Sequence, residues 1–510
     1  MVLAFFLTGC RSQEHQQNES LAADSTFGQK HRPQIHFTPK EKWMNDPNGM
    51  VYHKGQYHLF YQYYPEDIVW GPMHWGHAVS KDLIHWTHLP IALYPDSLGL
   101  IFSGSAVVDK LNTSGFGSKK NPPLVAVYTY HSQEKEKAGR TDYQYQGIAY
   151  STDDGNTWIK YEGNPVLTNQ GIKDFRDPKV FYHNESSKWV MILAVKDHVE
   201  LWGSSNLKAW SKLSDFGSDY GAHGGVWECP DLFEMTLDGG ATRKWVMIVS
   251  LNPGGPNGGS ATQYFVGEFD GAKFTPDTHS SKIKWIDYGP DNYAGVTWSN
   301  TPGDRKIFLG WMSNWSYAQE LPTMTWRGAA TLPRDMTLTR VNNDVFVTSS
   351  VVDELVVISE GKKELGSLQV DKTVTLADEG FEAVSQFLLR GTFKAEDFAV
   401  VVSNSKDQSI RVGYDSGAGR FFIDRGKSGN VTFSKQFPTE IFSPRLDSDD
   451  EIEMTMVLDH SSVEVFFDNG LSVMTSLFFP DEPLSSISIH SSHPTKVARI
   501  SLQKLRSIWK

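Results

Sequence analysis

Three acids stand in similar company along this chain. Asp46 lies in "WMNDPNG", Asp177 in "FRDP" and Glu228 in "WECPDLF". Each is followed within two residues by proline, and each comes just before a run rich in β-branched and aromatic residues. An Asp before Pro is an ordinary turn former, so no single acid decides the matter. Together they carry a specific chemistry if the fold brings them into one pocket. Carboxylates that crowd one another leave at least one of their number protonated near neutral pH. A protonated acid beside an ionised one can break a glycosidic bond. One carboxylate attacks the anomeric carbon; the other protonates the leaving oxygen and then activates water. The third would hold sugar hydroxyls and offset charge developing on the ring.

The neighbours suit the same task. Asn45, Gln62, Ser103 and Arg176 offer directed hydrogen bonds for sugar hydroxyls, although a structural salt bridge also explains Arg176. Trp43, Trp70, Trp75 and Trp311 could wall a sugar site, or pack between sheets instead. The histidines, including the "HWGH" run at 74–77, show no paired spacing that requires a metal, and packing or hydrogen bonding is the expected role.

Elements far apart in sequence must position these residues. Five hairpin patterns recur through the first two thirds, beginning with "MVYHKGQYHLFYQYY" and ending with "VTWSNTPGDRKIFLGWM". Their spacing of roughly 50 to 70 residues predicts a five-bladed β-propeller over residues 31–340, against the alternative of a sandwich with coincidental hairpins. The innermost strand of each blade borders the axis, so residues at the start of these strands converge at one end of the channel. The three acids are expected at equivalent positions there. Alternating strands then predict a second all-β unit, a linker and β-sandwich over 341–510.

A chain of 510 residues is long enough for two domains. A net charge of −12 argues against nucleic acid or an anionic membrane as the main partner. Cys10 and Cys229 are the only cysteines, which excludes a disulfide framework. "VLAFFLTGC" resembles a bacterial lipobox, with Cys10 as the lipidated residue. Residues 1–30 then read as signal and flexible tether, and the protein as exported, anchored to the membrane only through that lipid. A plain cleaved signal is the alternative.

The motifs "WMNDPNG", "FYQYYP", "WGPMHWGHAVS", "FSGSAV", "FRDPKV", "WECPDLF" and "GWMSNW", in this order, together resemble glycoside hydrolase family 32, the β-fructosidases. The resemblance implies a propeller followed by a β-sandwich and a retaining cleavage of β-D-fructofuranosyl units from fructans or fructo-oligosaccharides. It makes Asp46 the nucleophile, Glu228 the general acid/base and Asp177 the transition-state stabiliser. Asn45, Gln62, Trp70, Phe102, Ser103, Arg176 and Trp311 match positions that line the fructose subsite, and no cofactor is implied. An endo-acting levanase or inulinase, a sucrose-directed enzyme and a non-catalytic fructan-binding lipoprotein remain as alternatives.

Overall fold

A computed structural model describes residues 27–277, 282–380, 382 and 384–509. The expected signal with Cys10, and most of the expected tether, lie outside the described residues. Apart from the short helix Gln133–Lys137 and three 3-10 turns, regular structure among the described residues is all strand. No helix among them is long and apolar enough to cross a membrane.

Residues 42–351 form five meandering sheets, each starting at its innermost strand. Those strands are Lys42–His53, Leu100–Val108, Phe175–His183, Val226–Thr236 and Tyr293–Thr297. Each contacts the next, and the fifth returns to the first, which closes a propeller around a central axis. The closure is fastened by backbone bonds from Tyr52 N–H to the Ser299 carbonyl (2.9 Å) and from Ser299 N–H to the Met50 carbonyl (3.0 Å). Tight turns set the hairpin registers. Lys54 and Gly55, with φ of 45° and 85°, join His53 to Gln56; two-residue loops of this hand match the strand twist.

The same turn chemistry corrects the expected boundary at residue 340. Asn342 and Asn343 have φ of 49° and 67° and join Arg334–Val341 to Asp344–Val351. Both strands belong to the fifth sheet, so residue 340 falls inside a hairpin and the propeller runs on to Val351. Asparagine tolerates this left-handed conformation better than other residues with a side chain, and "VNND" is the signal that the boundary overlooks.

Residues 359–505 form a sandwich of a seven-stranded and a six-stranded sheet. Ile452, Met454 and Met456 alternate inward along one strand, and across the core Phe421 stacks on Phe467 with ring centroids 4.0 Å apart. Propeller and sandwich share apolar core: Ile35, Phe37 and Leu332 cluster with Val457, Phe466 and Val473. Charges are buried in the same seam. His36 lies 2.7 Å from Asp459 and 2.9 Å from Glu464, all three fully buried. Arg334 pairs with Asp287 and Glu464, and Arg425 with Asp291 at 2.8 Å. Buried charges are tolerated only when paired, and these pairs fix one domain on the other.

Candidate active site

Every inner strand of the propeller carries a β-bulge at the same level. In the first sheet, pairing jumps between Met44 and Pro47, so Asn45 and Asp46 together stand opposite Gln62. In the second, Phe102 and Ser103 stand opposite Thr129. Asp177 and Pro178 oppose Leu193 in the third, Cys229 and Pro230 oppose Val249 in the fourth, and Ala294 and Gly295 oppose Gly310 in the fifth. A bulge bends its strand and re-aims a side chain, and it is one of the few places inside a sheet that accepts proline. Hence the prolines in "RDP" and "ECP". Asp177 and Cys229 have φ of 63° and 45°, a backbone that only this local arrangement holds in place.

The acids are not at equivalent positions, which corrects the sequence-based expectation. Glu228 is the last paired residue before its bulge, Asp177 the first residue within its own, and Asp46 the second within its own. Each is offset from the next by one residue. The three nevertheless line one cavity of about 470 Å³, together with Asn45, Gln62, Trp70, Phe102, Ser103 and Arg176.

Hydrogen bonds fix each carboxylate. Asp46 accepts from Asn45 Nδ2 (2.9 Å) at one oxygen and from Ser103 Oγ (2.7 Å) at the other. Asp177 Oδ2 accepts the Cys229 backbone N–H at 3.0 Å. The Cys229 Sγ lies 3.5 Å from Asp46 Oδ2 and 3.7 Å from Asp177 Oδ2, so one thiol serves two acids. Glu228 Oε1 accepts from Arg176 Nε (3.2 Å) and Nη2 (2.9 Å), and its Oε2 accepts from the Tyr293 hydroxyl. Arg176 is itself oriented by Asp174, 2.7 Å from Nη1, and by Gln144.

Burial and mutual repulsion govern the charges. Burial, and then the Glu228 charge, raise the Asp46 carboxyl above its ordinary value; the Asn45, Ser103 and Cys229 donors oppose them. Asp177 is pushed up to about 7, chiefly by burial; Arg176 pulls it down, and Glu228 and Asp46 add to the rise. The Arg176 guanidinium loses solvation by burial yet is held more firmly charged by Glu228, Asp177 and Asp174. Burial also raises the Tyr293 phenol and the Cys229 thiol well above their usual ranges, so both keep their protons.

Trp311 does not reach the cavity. It is fully buried and packs against Trp43 (5.9 Å) and Trp315 (4.9 Å). Trp43 and Trp75 are likewise fully buried. Trp43 Nε1 donates to Asn45 Oδ1 at 2.8 Å and Trp75 Nε1 to the Phe102 carbonyl at 3.0 Å, so they hold wall residues from behind. Of the four tryptophans expected as walls only Trp70 lines the cavity, joined by Trp315, which sequence reasoning missed. Trp315 stands in the same "GWMSNW" motif as Trp311, so the signal was present but attached to the wrong ring. His131, Tyr143, Gln144 and Asp174 also line the cavity, and their local sequences carry no distinguishing pattern. Elsewhere, His198, Glu200 and Asp215 bring possible metal-binding atoms together. Lys212 Nζ already sits 2.7 Å from Glu200 and 2.6 Å from Asp215 and supplies the positive charge.

Comparison with known proteins places this site in a family. Residues 36–349 match the glycosyl hydrolases family 32 N-terminal domain, and residues 352–505 the family 32 C-terminal domain. The chain is 46% identical to a levanase of Bacillus subtilis (strain 168), over 96% of this chain and 72% of that protein. It is 40% identical to the extracellular exo-inulinase inuE of Aspergillus niger, over 95% of this chain and 96% of that one. Among solved structures, the exo-inulinase of Aspergillus awamori superposes with a TM-score of 0.87 at 38% identity, covering 95% of this chain and all of the other. A β-fructofuranosidase of Schwanniomyces occidentalis complexed with fructosyl-erythritol gives 0.85 at 34% identity, covering 96% and 99%. With both family domains matched in order along one chain, this protein belongs to glycosyl hydrolases family 32.

Proposed function

We propose that the protein is a retaining, exo-acting fructan β-fructosidase, with Asp46 as nucleophile, Glu228 as general acid/base and Asp177 as stabiliser of the transition state. The glycosidase class follows from the family; the roles rest on one observation, the meeting of three carboxylates with different hydrogen-bond partners in one cavity. Asp46 has a donor on each oxygen, which fixes its orientation toward the anomeric carbon of a bound fructosyl unit. Glu228 protonates the departing oxygen, and a fructosyl ester forms on Asp46. Glu228 then takes a proton from water, which attacks the same carbon and frees Asp46. Asp177 hydrogen-bonds fructose hydroxyls and offsets positive charge on the ring in both steps. Gln62 supports the binding role: its Nε2 is buried without a hydrogen-bond partner among the described residues, a donor left over for a sugar hydroxyl.

Fructans and fructo-oligosaccharides are the proposed substrates, in keeping with relatives named levanase and exo-inulinase. Export, with lipid on Cys10 as the membrane anchor and residues 11–30 as tether, completes the proposal. The relative named as extracellular supports export, and the "LTGC" sequence alone supports the anchor. Early products on β-2,6 and β-2,1 fructans test the mode of action. Fructose alone is expected, and its release is expected to stop in Asp46→Ala and Glu228→Ala. A ladder of oligosaccharides would establish endo cleavage instead, and full activity in either variant would remove the assignment.

A further inference from the structure

The residues immediately before the bulges of the third, fourth and fifth inner strands are Arg176, Glu228 and Tyr293. They occupy the same register position in three consecutive blades, with the acid in the middle. Arg176 donates to Glu228 Oε1 from one side, and the Tyr293 hydroxyl donates to Oε2 from the other. The two oxygens of Glu228 are thus held separately, one by a cation and one by a neutral phenol. Arg176 lines the cavity, whereas Tyr293 is buried (1% exposed) and does not. A group that cannot touch substrate, yet ends on the acid/base carboxyl, has one route to the chemistry.

We propose that Tyr293 is a positioning residue for the general acid/base, its hydroxyl holding Glu228 Oε2 and so fixing the orientation of the carboxyl toward the leaving oxygen. This inference rests on the reading of Glu228 as the acid/base. The surroundings favour a pure donor. The charged and titratable groups around the phenol are Glu228, Cys229 and Asp46, with Arg176 on the far side of Glu228; burial and the negative charges of these neighbours disfavour a phenolate, so the hydroxyl keeps its proton and donates it in a hydrogen bond. A carboxyl that pivots freely spends part of its time facing away from the leaving group, and general acid catalysis is sensitive to that geometry.

The test is Tyr293→Phe, which removes one oxygen and keeps the ring, measured on two substrates. A fructo-oligosaccharide has a poor leaving group and needs the acid; an aryl β-D-fructofuranoside with an acidic phenol does not. We expect kcat/KM on the oligosaccharide to fall on the order of 10- to 100-fold, mainly through kcat. On the aryl substrate kcat/KM is expected to stay within about twofold, because its first step leaves without a proton. Equal losses on both substrates, or no loss on either, would overturn the proposal. Glu228→Gln run in parallel separates the two levels: if it keeps oligosaccharide activity, the acid/base reading itself fails, whatever Tyr293→Phe does. Should Tyr293→Phe not fold, Tyr293→Met, which also lacks the hydroxyl, carries the same comparison with the same two outcomes.

Discussion

At the scale of single residues, the site is a problem of too many carboxylates in too little water. Asp177 shows the tension most directly. Its pKa stands near 4 when exposed and rises to about 7 on folding, so the folded state binds a proton that the unfolded chain has released. The resulting stability is fully present below about pH 4 and is lost as pH rises through about 7. Asp177→Asn should therefore unfold later than wild type at pH 8, by roughly 1–4 kcal/mol, with the gap closing toward pH 4. Thermal unfolding at the two pH values checks this, and a variant less stable than wild type at pH 8 would contradict it. The same variant should lose activity by about two orders of magnitude or more. The acids were legible in the sequence because each stands within two residues of a proline that only a bulge or turn accepts. Tyr293 was not, since "DNYAGVTW" holds no proline and its phenol meets Glu228 only where the fourth and fifth inner strands pack side by side. Trp315 was hidden by its neighbour Trp311.

At the scale of elements, the five bulges are what the hairpin pattern could not reveal. Composition and turn residues pointed to five inner strands. The one-residue offsets between the acids depend on where pairing slips, and no local pattern encodes that. Something must also hold the slipped strands together. Lys179 and Asp231 are the first paired residues after the third and fourth bulges, and their side chains meet at 2.9 Å, nearly fully buried. Asp231 further accepts from the Thr297 backbone N–H (2.8 Å) and hydroxyl (2.7 Å) of the fifth inner strand. This cross-brace ties three blades just behind the acids. Lys179→Met leaves a buried Asp231 without its cation and should destabilise the protein by about 3–5 kcal/mol. Lys179→Met combined with Asp231→Leu should recover much of that loss. Denaturant melts of the single and double variants measure the coupling; a double variant as unstable as the single would count against the brace.

At the scale of the whole molecule, two all-β units behave as one body because their seam is both apolar and charged. His36 illustrates the second part. Burial favours its neutral form, but Asp459 and Glu464 win and raise it to about 9. Its contribution is therefore complete below about pH 6.5 and fades as pH rises through about 9, the opposite ordering from an acid held by a cation. Global stability should fall across that window, and His36→Asn should flatten the fall; an unchanged pH dependence in the variant would refute this. A chain ending at residue 351 would expose Ile35, Phe37, Leu332 and an Arg334 that has lost Glu464, and should aggregate. A soluble, fully active fragment would show that the sandwich is dispensable. The sequence texture announced the second unit but not its seam, since His36 lies 423 and 428 residues from Asp459 and Glu464 and pairs with them only on docking. All of this holds one carboxylate, Asp46, toward one carbon, and a trapped intermediate tests that claim most directly. Glu228→Ala mixed with an aryl β-D-fructofuranoside can form the ester quickly and hydrolyse it slowly. Acid quench, proteolysis and mass spectrometry should then find one fructosyl unit on the peptide containing Asp46. A fructosyl unit on any other residue, or none while the phenol is released in a burst, would contradict the account.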